Sequence, residues 1–173
     1  MLKVFGLRYR RLTLREMTFA AAVASIYAAL TLSTAEISFG AWQVRIAEAL
    51  AMLPALTPCA IPGLFVGCLA SNLVAGVSPL DPIIGSLATL AAACLTYRLR
   101  AKPFLAAIPP VVVNALAVGA IIAAEALNAD DSIAYWVAAG WVGVGQLAAC
   151  CGLGLPLYYA LKLLPKGVFA IGG

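Results

Sequence analysis

The stretch FLAAIPPVVVNALAVGAIIAAEAL, residues 104–127, holds a single charged side chain, Glu125. About 20 consecutive apolar residues are enough for an α-helix to cross the hydrocarbon core of a bilayer. Pro103 immediately precedes the stretch, and the polar segment 128–132 follows it. The stretch therefore predicts a transmembrane helix.

The rest of the chain follows the same pattern. Apolar runs and the breaks between them predict five further spans. These spans cover residues 17–34, 45–57, 61–77, 81–97 and 135–164. The chain is 64% hydrophobic and 10% charged, whereas a soluble domain usually carries about 25% charged residues. We therefore predict an all-α integral membrane protein with about six transmembrane helices.

One membrane domain accounts for the whole chain, 1–173. It would consist of a basic segment at 1–16, a six-helix bundle at 17–164 and a tail at 165–173. The span at 45–57 is the shortest, since at 1.5 Å per residue it covers only about 20 Å, less than the hydrocarbon thickness. We expect it to begin or end in a cavity, or to be covered by the loop at 35–44.

The distribution of basic residues predicts the orientation in the membrane. Ten of the eleven lie in three clusters, at 3–15, 98–102 and 162–166, and Arg45 stands alone. With six spans and the N-terminus inside, all three clusters become cytoplasmic, as the positive-inside rule requires. Both termini are then inside, in a plasma membrane. The clusters do not share one surface, which argues against nucleic-acid binding.

Metal chemistry is not indicated. The chain has no histidine, and its five cysteines form no C-x-x-C pair, so we predict no metal site and no cofactor. The cysteines lie in apolar runs, which favours packing as small hydrophobic side chains. They are Cys59, Cys68, Cys94, Cys150 and Cys151.

Charged residues within a membrane are costly and tend to mark functional sites. Arg45 and Glu48 open the second span at its outer end, three residues apart on one helical face. They either form an ion pair with each other, or at least one of them faces a ligand. Asp81 opens the fourth span before Pro82, which is typical of a helix start and is compatible with lining a site.

Other polar and aromatic side chains extend this outer-side group. The polar candidates are Asn72, Ser86, Asn114, Glu125 and Gln146. Each is either an interhelical hydrogen-bonding group or part of a solvated pocket. The aromatic candidates are Trp42, Tyr135 and Trp136. They fit an interfacial aromatic belt or a surface for stacking a planar ligand.

Small residues recur on one face of the first span. Ala20, Ala24 and Ala28 are spaced by four residues, and such stripes let another helix approach closely. The partner is either a helix of the same bundle or another membrane subunit.

Four segments together resemble the QueT family of queuosine-precursor transporters. They are AAVASIYAALTL (21–32), the block at 37–73 with its RIAEAL motif, DPIIGSLATLAAACLTY (81–97) and PPVVVNALAVG (109–119). The most specific parts are R-I-x-E-A-L and D-x-x-x-G-S-L-A-T. A glutamate is common in that family where this chain has Gln146.

The resemblance implies a substrate-binding S component of an energy-coupling factor (ECF) transporter. Such a subunit has six helices with both termini inside and binds its ligand near the outer face. Its partners are a transmembrane coupling subunit, here facing Ala20, Ala24 and Ala28, and two cytoplasmic ATPases. The implied ligand is queuine or a deazaguanine precursor.

The residue inventory fits that ligand. A carboxylate of Glu48, Asp81 or Glu125 can accept from both N–H groups of a guanine-like edge, and Asn114 or Gln146 can pair with the carbonyl and its neighbour. In this arrangement Arg45 would orient Glu48.

Other functions remain open. An S component for another vitamin, such as a flavin or thiamin relative, would keep the fold and change only the pocket. A solitary secondary carrier would work from an ion gradient, and a membrane enzyme would need paired carboxylates. The chain has no G-x-x-x-x-G-K-[ST] loop, H-E-x-x-H or G-x-S-x-G motif, so we predict a transport subunit that is not an enzyme.

Overall fold

A computed structural model shows a bundle of helices. It describes residues 3–4, 7–8, 13–39, 44–76, 79–125, 132–164 and 169. Two short strands, β1 (Lys3–Val4) and β2 (Leu7–Arg8), pair antiparallel ahead of the helices. The helices are α1 (Leu14–Ser33), α2 (Ala35–Ser38), a 3-10 helix (Ile46–Ala55), α3 (Ala60–Ala75), α4 (Asp81–Arg98), α5 (Pro103–Ala106), α6 (Ile108–Glu125), α7 (Ser132–Leu147), a π segment (Ala148–Gly154) and α8 (Leu155–Lys162).

The predicted all-α membrane fold is confirmed. Within the described residues, three helical stretches are long and apolar enough to cross a bilayer, at 14–33, 103–124 and 135–162. The 3-10 helix and α3 are shorter apolar helices, and α4 has 18 residues. The predicted spans therefore all correspond to helices, while the orientation and the boundaries of the terminal segments stay predictions.

Three of the predicted spans are less regular than a single α-helix. The span at 104–127 is interrupted at Ala107, because Pro109 and Pro110 lack the N–H groups that would bond back to α5. The last span changes to π geometry before Pro156. Pro156 also lacks a backbone N–H, and this missing donor disturbs the regular α-helical hydrogen bonds. The second span is a 3-10 helix.

The 3-10 helix is the centre of the bundle. Nine of its ten residues are buried, which is typical of a helix that is apolar on every side. Its rise of about 2.0 Å per residue gives a length of about 20 Å. The structure buries this short span among other helices, whereas its predicted cover by the loop at 35–44 stays a prediction, because residues 40–43 lie outside the described residues.

The three-residue period of this helix gives it three faces. Ala47, Leu50 and Leu53 belong to a core with α1, α3 and α4. Met52 and Ala55 pack against α5 and α8. The third face begins at Glu48 and continues with Ala51, which packs against Val111 of α6 and Cys150 of the π segment.

Glycines permit the close helix crossings. A Cβ on Gly63 would lie 2.5 Å from the carbonyl oxygen of Ala20, and one on Gly67 would lie 2.8 Å from that of Ala24. The α1 stripe predicted from sequence therefore contacts α3 at two of its three alanines, and all three are half-buried.

The crossing of α6 and α7 gives a stability prediction. A Cβ on Gly119 would lie 2.7 Å from the Cα of Ala139, so Gly119→Ala must push the helices apart. We expect this variant to lose about 1–3 kcal/mol of unfolding free energy. Gly140→Ala is the matched control, because nothing lies within 4 Å of its added Cβ. Thermal melting in detergent compares the two, and equal melting temperatures would contradict the crossing.

Candidate binding site

Arg45 forms an ion pair with Asp81. The Nη2 atom of Arg45 lies 2.7 Å from Oδ2 of Asp81, and both side chains are buried. Arg45 precedes the 3-10 helix and has an extended backbone, with φ −84° and ψ 100°. Its side chain therefore does not share the helical face of Glu48. Of the alternatives predicted for Arg45 and Glu48, the mutual ion pair is therefore not the one formed, and Arg45 orients Asp81 rather than Glu48.

Polar groups of α3 and α4 surround this ion pair. The Nδ2 atom of Asn72 donates to the backbone oxygen of Asp81 at 3.1 Å and to Sγ of Cys68 at 3.6 Å. The Cys68 sulfur also accepts from Oγ1 of Thr89 at 3.4 Å and from Nη1 of Arg45 at 3.9 Å. We call Arg45, Cys68, Asn72, Asp81 and Thr89 the Arg45 cluster.

Glu48 has a different partner, in α1. The hydroxyl of Tyr27 donates to Oε1 of Glu48 at 2.6 Å, and both residues are fully buried. The sulfur of Cys150 contacts the Glu48 backbone oxygen at 3.5 Å and Oε1 of Gln146 at 3.6 Å. Glu48 thus lies where α1, the 3-10 helix and the π segment meet, with its carboxyl facing α1 and its backbone oxygen facing the π segment.

Asn114 lies at the same level as Glu48 and Gln146. The contact of Ala51, Val111 and Cys150 fixes the register of three helices. Glu48 is one turn before Ala51, Gln146 one turn before Cys150, and Asn114 one turn after Val111. Because α6 runs antiparallel to α7, as the Gly119–Ala139 and Gly143–Ala115 contacts show, all three displacements point to the same end of the bundle.

We call Tyr27, Glu48, Asn114, Gln146 and Cys150 the Glu48 cluster. Each residue of the cluster is at most 2% exposed. Arg45 and Glu48 are three residues apart, so the two clusters adjoin at the start of the 3-10 helix.

Several buried polar atoms of these clusters have no hydrogen-bond partner among the described residues. They are Nε of Arg45, Oε2 of Glu48, Oδ1 of Asn72, and both Nδ2 and Oδ1 of Asn114. An unsatisfied buried polar group costs about 1–3 kcal/mol, and more when it is charged. Such groups are expected to bind a polar molecule, and here they offer a carboxylate acceptor and an amide donor–acceptor pair.

The other predicted site residues lie elsewhere or outside the description. The Ser86 hydroxyl is buried and donates to the backbone oxygen of Pro82 in its own helix. Tyr135 is half-buried, and Trp136 is 64% exposed, with their rings 4.9 Å apart. Trp42 and the side chain of Glu125 lie outside the described residues.

Sequence reasoning missed Tyr27, Cys68 and Cys150 as members of the site. Tyr27 lies on the same face of α1 as Ala20 and Ala24, and the presence of its hydroxyl on that face was the available signal. Cys68 and Cys150 were expected only to pack, but both sulfurs contact polar atoms. Among the described residues, no group of three or more Cys, Asp or Glu side chains comes together to hold a metal ion.

The family model for the QueT transporter matches residues 17–163. The chain belongs to the QueT transporter family. The match begins within α1 and ends just beyond α8, so it includes both polar clusters of this QueT-family protein. Searches among curated proteins and among solved structures found no match. Family membership and the apolar helices together establish a multi-pass membrane protein with a transport role.

Proposed function

We propose that this protein is the S component of an ECF-type importer, and that it binds queuine or a deazaguanine precursor. The observation that carries the proposal is the buried Oε2 atom of Glu48, unpartnered among the described residues, at the level of the equally unpartnered Asn114 amide. Membership of a transporter family supports the transport role on which the proposal builds.

The hydrogen-bonding inventory matches a guanine-like edge. Such an edge has an N1–H and an exocyclic amine as donors, and a carbonyl as acceptor. Glu48 can accept from the donors, and the bond gains strength because a carboxylate is charged and the site is dry. Asn114 can donate to the carbonyl and accept from a neighbouring N–H. Gln146 contributes an amide, which can both donate and accept a hydrogen bond. Unlike a carboxylate at this position, it adds no second negative charge beside Glu48.

The Arg45 cluster provides a rigid wall for this site. Arg45 and Asp81 neutralise each other, so Glu48 keeps its carboxylate for the ligand. A planar ligand bound to Glu48 would also lie close to the hydroxyl of Tyr27, which donates to Glu48. The stacking roles of Trp42, Tyr135 and Trp136, and a ligand contact of Glu125, stay predictions.

The chain has no nucleotide-binding loop, so the proposed importer needs ATPase partners. Reconstitution in liposomes tests this requirement. We expect uptake of a labelled deazaguanine only when the coupling subunit, both ATPases and ATP are present. Uptake by the chain alone, driven by a proton or sodium gradient, would instead establish a secondary carrier, and conversion of the substrate would establish an enzyme.

The groove between α1 and α3 is the proposed contact for the coupling subunit. Its volume is about 260 Å³. It is lined by Met17, Ala20, Ala21 and Ala24 of α1 and by Pro62, Gly63 and Val66 of α3. Small side chains let a partner helix approach closely and pack against the backbone. Ala20 and Ala24 belong to this groove, and Ala28 extends the same stripe by one turn.

Filling the groove should block assembly. Ala21 is exposed within it, so we expect Ala21→Trp to reduce co-purification of the coupling subunit at least fivefold, with ligand binding unchanged. Ile26→Trp is the matched control, because Ile26 is exposed on a different face of α1. Equal yields of complex from both variants would place the docking surface elsewhere.

A further inference from the structure

A second groove lies on α4, on the side away from the polar clusters. It has a volume of about 370 Å³ and is lined by Leu87, Leu90, Ala91, Cys94 and Leu95. The opposite face of α4 is buried in the bundle through Ala88, Thr89, Ala92, Ala93 and Thr96. The groove therefore faces the membrane, and the small Ala91 and Cys94 leave room between larger leucines.

Three cations lie at one end of this groove. Residues 87, 91, 94 and 98 follow each other at helical spacing, so Arg98 continues the face that forms the groove. Arg100 and Lys102 follow in the next turn, and all three side chains are exposed. The Nη1 atom of Arg100 donates to the backbone oxygen of Tyr97 at 3.1 Å, and its guanidinium lies 4.2 Å from the Tyr97 ring centre. No acidic residue occurs between 98 and 102.

The length of this surface corresponds to one leaflet of the bilayer. From Leu87 to Arg98 the helix rises about 16 Å at 1.5 Å per residue. One leaflet is half of a hydrocarbon core about 30 Å thick. An acyl chain lying in the groove would thus place its phosphate at the level of Arg98, where Arg side chains bind phosphate oxygens in pairs.

We propose that this groove and the cations at its end form a binding site for an anionic phospholipid. The acyl chain packs against Ala91 and Cys94, and the phosphate interacts with Arg98, Arg100 and Lys102. The charge distribution favours this occupant over a neutral lipid or a second copy of the chain, because the same surface is apolar along one leaflet and cationic only at its end. In the predicted orientation that end is cytoplasmic, and the cytoplasmic leaflet is rich in anionic lipid.

Native mass spectrometry of the detergent-purified full chain tests the site, with dioleoyl phosphatidylglycerol and phosphatidylcholine offered at equal concentration. We expect the wild type to retain phosphatidylglycerol at least fivefold over phosphatidylcholine. The variant R98Q/R100Q/K102Q should retain the two lipids equally. Lys162→Gln is the matched control, since Lys162 is exposed and basic but lies over the Tyr158 ring in α8 and does not line the groove.

A groove variant tests the acyl chain separately and keeps every charge. We expect Ala91→Phe to reduce retention of phosphatidylglycerol at least fivefold, while Leu116→Phe, at an exposed position of α6, leaves it unchanged. If the triple variant does not fold, Arg98→Gln alone and Ala91→Phe decide the question.

Four outcomes would overturn the proposal. They are equal retention of both lipids by the wild type, an equal loss from Lys162→Gln and Arg98→Gln, full displacement of the lipid by glycerol phosphate, or a dimer in place of the lipid-bound monomer. Glycerol phosphate shares the headgroup chemistry without an acyl chain, so its failure to compete is the expected result.

Discussion

Arg45→Met is expected to lower the free energy of unfolding by about 3–5 kcal/mol, because it removes the cation that pairs with the buried carboxylate of Asp81. The two side chains are in contact at 2.7 Å and almost fully buried. Asp81→Asn should cost a similar amount, since it leaves the guanidinium of Arg45 without its counter-ion. Thermal and denaturant unfolding of the detergent-solubilised protein measures both losses.

The double variant distinguishes the effect of leaving one charge unpaired from the effect of losing the side-chain contacts. R45M/D81N removes both charges, and we expect it to recover most of the stability, because a buried pair contributes little net free energy once neither charge remains. Lys162→Met, at an exposed position, should change stability by about 0.5 kcal/mol or less. A double variant as unstable as the single ones, or an Arg45→Met no worse than Lys162→Met, would contradict the pairing.

Glu48→Gln is expected to weaken ligand binding at least tenfold, which corresponds to about 1.4 kcal/mol. The substitution keeps the volume of the side chain but replaces an acceptor-only carboxylate with an amide. One oxygen must then be exchanged for an N–H₂ group that opposes the donors of the ligand. The Tyr27 hydroxyl can still donate to the remaining oxygen, so the fold is expected to persist.

Calorimetric titration measures this loss, and the melting temperature reports on folding. Glu36→Gln is the matched control, because Glu36 is exposed in α2 and has no place in either cluster. Unchanged affinity in Glu48→Gln would remove Glu48 from the site. An equal loss in both variants would show that the effect is a general one of charge.

The membrane fold could be predicted from sequence because apolar length is the dominant signal in lipid. Each predicted span corresponds to one helix or to a run of consecutive helical segments, whose outer ends lie within a few residues of the expected positions. Local chemistry explains some of these ends. Thr13 and Glu16 form a capping box at the start of α1, and Gly76, with φ 60°, ends α3 in the left-handed region.

The geometry of the second and sixth spans could not be predicted in the same way. Hydropathy measures how apolar a segment is, and it does not distinguish 3-10, α and π geometries. The difference matters for the site, because the three-residue period places Glu48 in line with Ala51, whereas Arg45 is the extended residue before this helix and does not follow its period. The α-helical spacing that offered Glu48 as one possible partner therefore does not apply to Arg45, which pairs with Asp81.

The burial of the polar candidates could be anticipated from the sequence more readily than their contacts. Polar side chains within a membrane are costly, and six of them were selected from the sequence for that reason. All six are buried near one end of the 3-10 helix, and they are Arg45, Glu48, Asn72, Asp81, Asn114 and Gln146. Their partners are distant in sequence. Arg45 and Asp81 are 36 residues apart, and Cys150 and Glu48 are 102 apart, so only packing of the helices reveals those contacts.

Calorimetric titration of the purified wild-type chain with a panel of ligands tests the central claim most directly. The panel holds queuine, the aminomethyl and cyano deazaguanine precursors, guanine, riboflavin and thiamin. We predict selective, tight binding of at least one deazaguanine and weak or no binding of riboflavin and thiamin. Tight binding of riboflavin or thiamin, or no binding of any deazaguanine by a folded sample, would contradict the account.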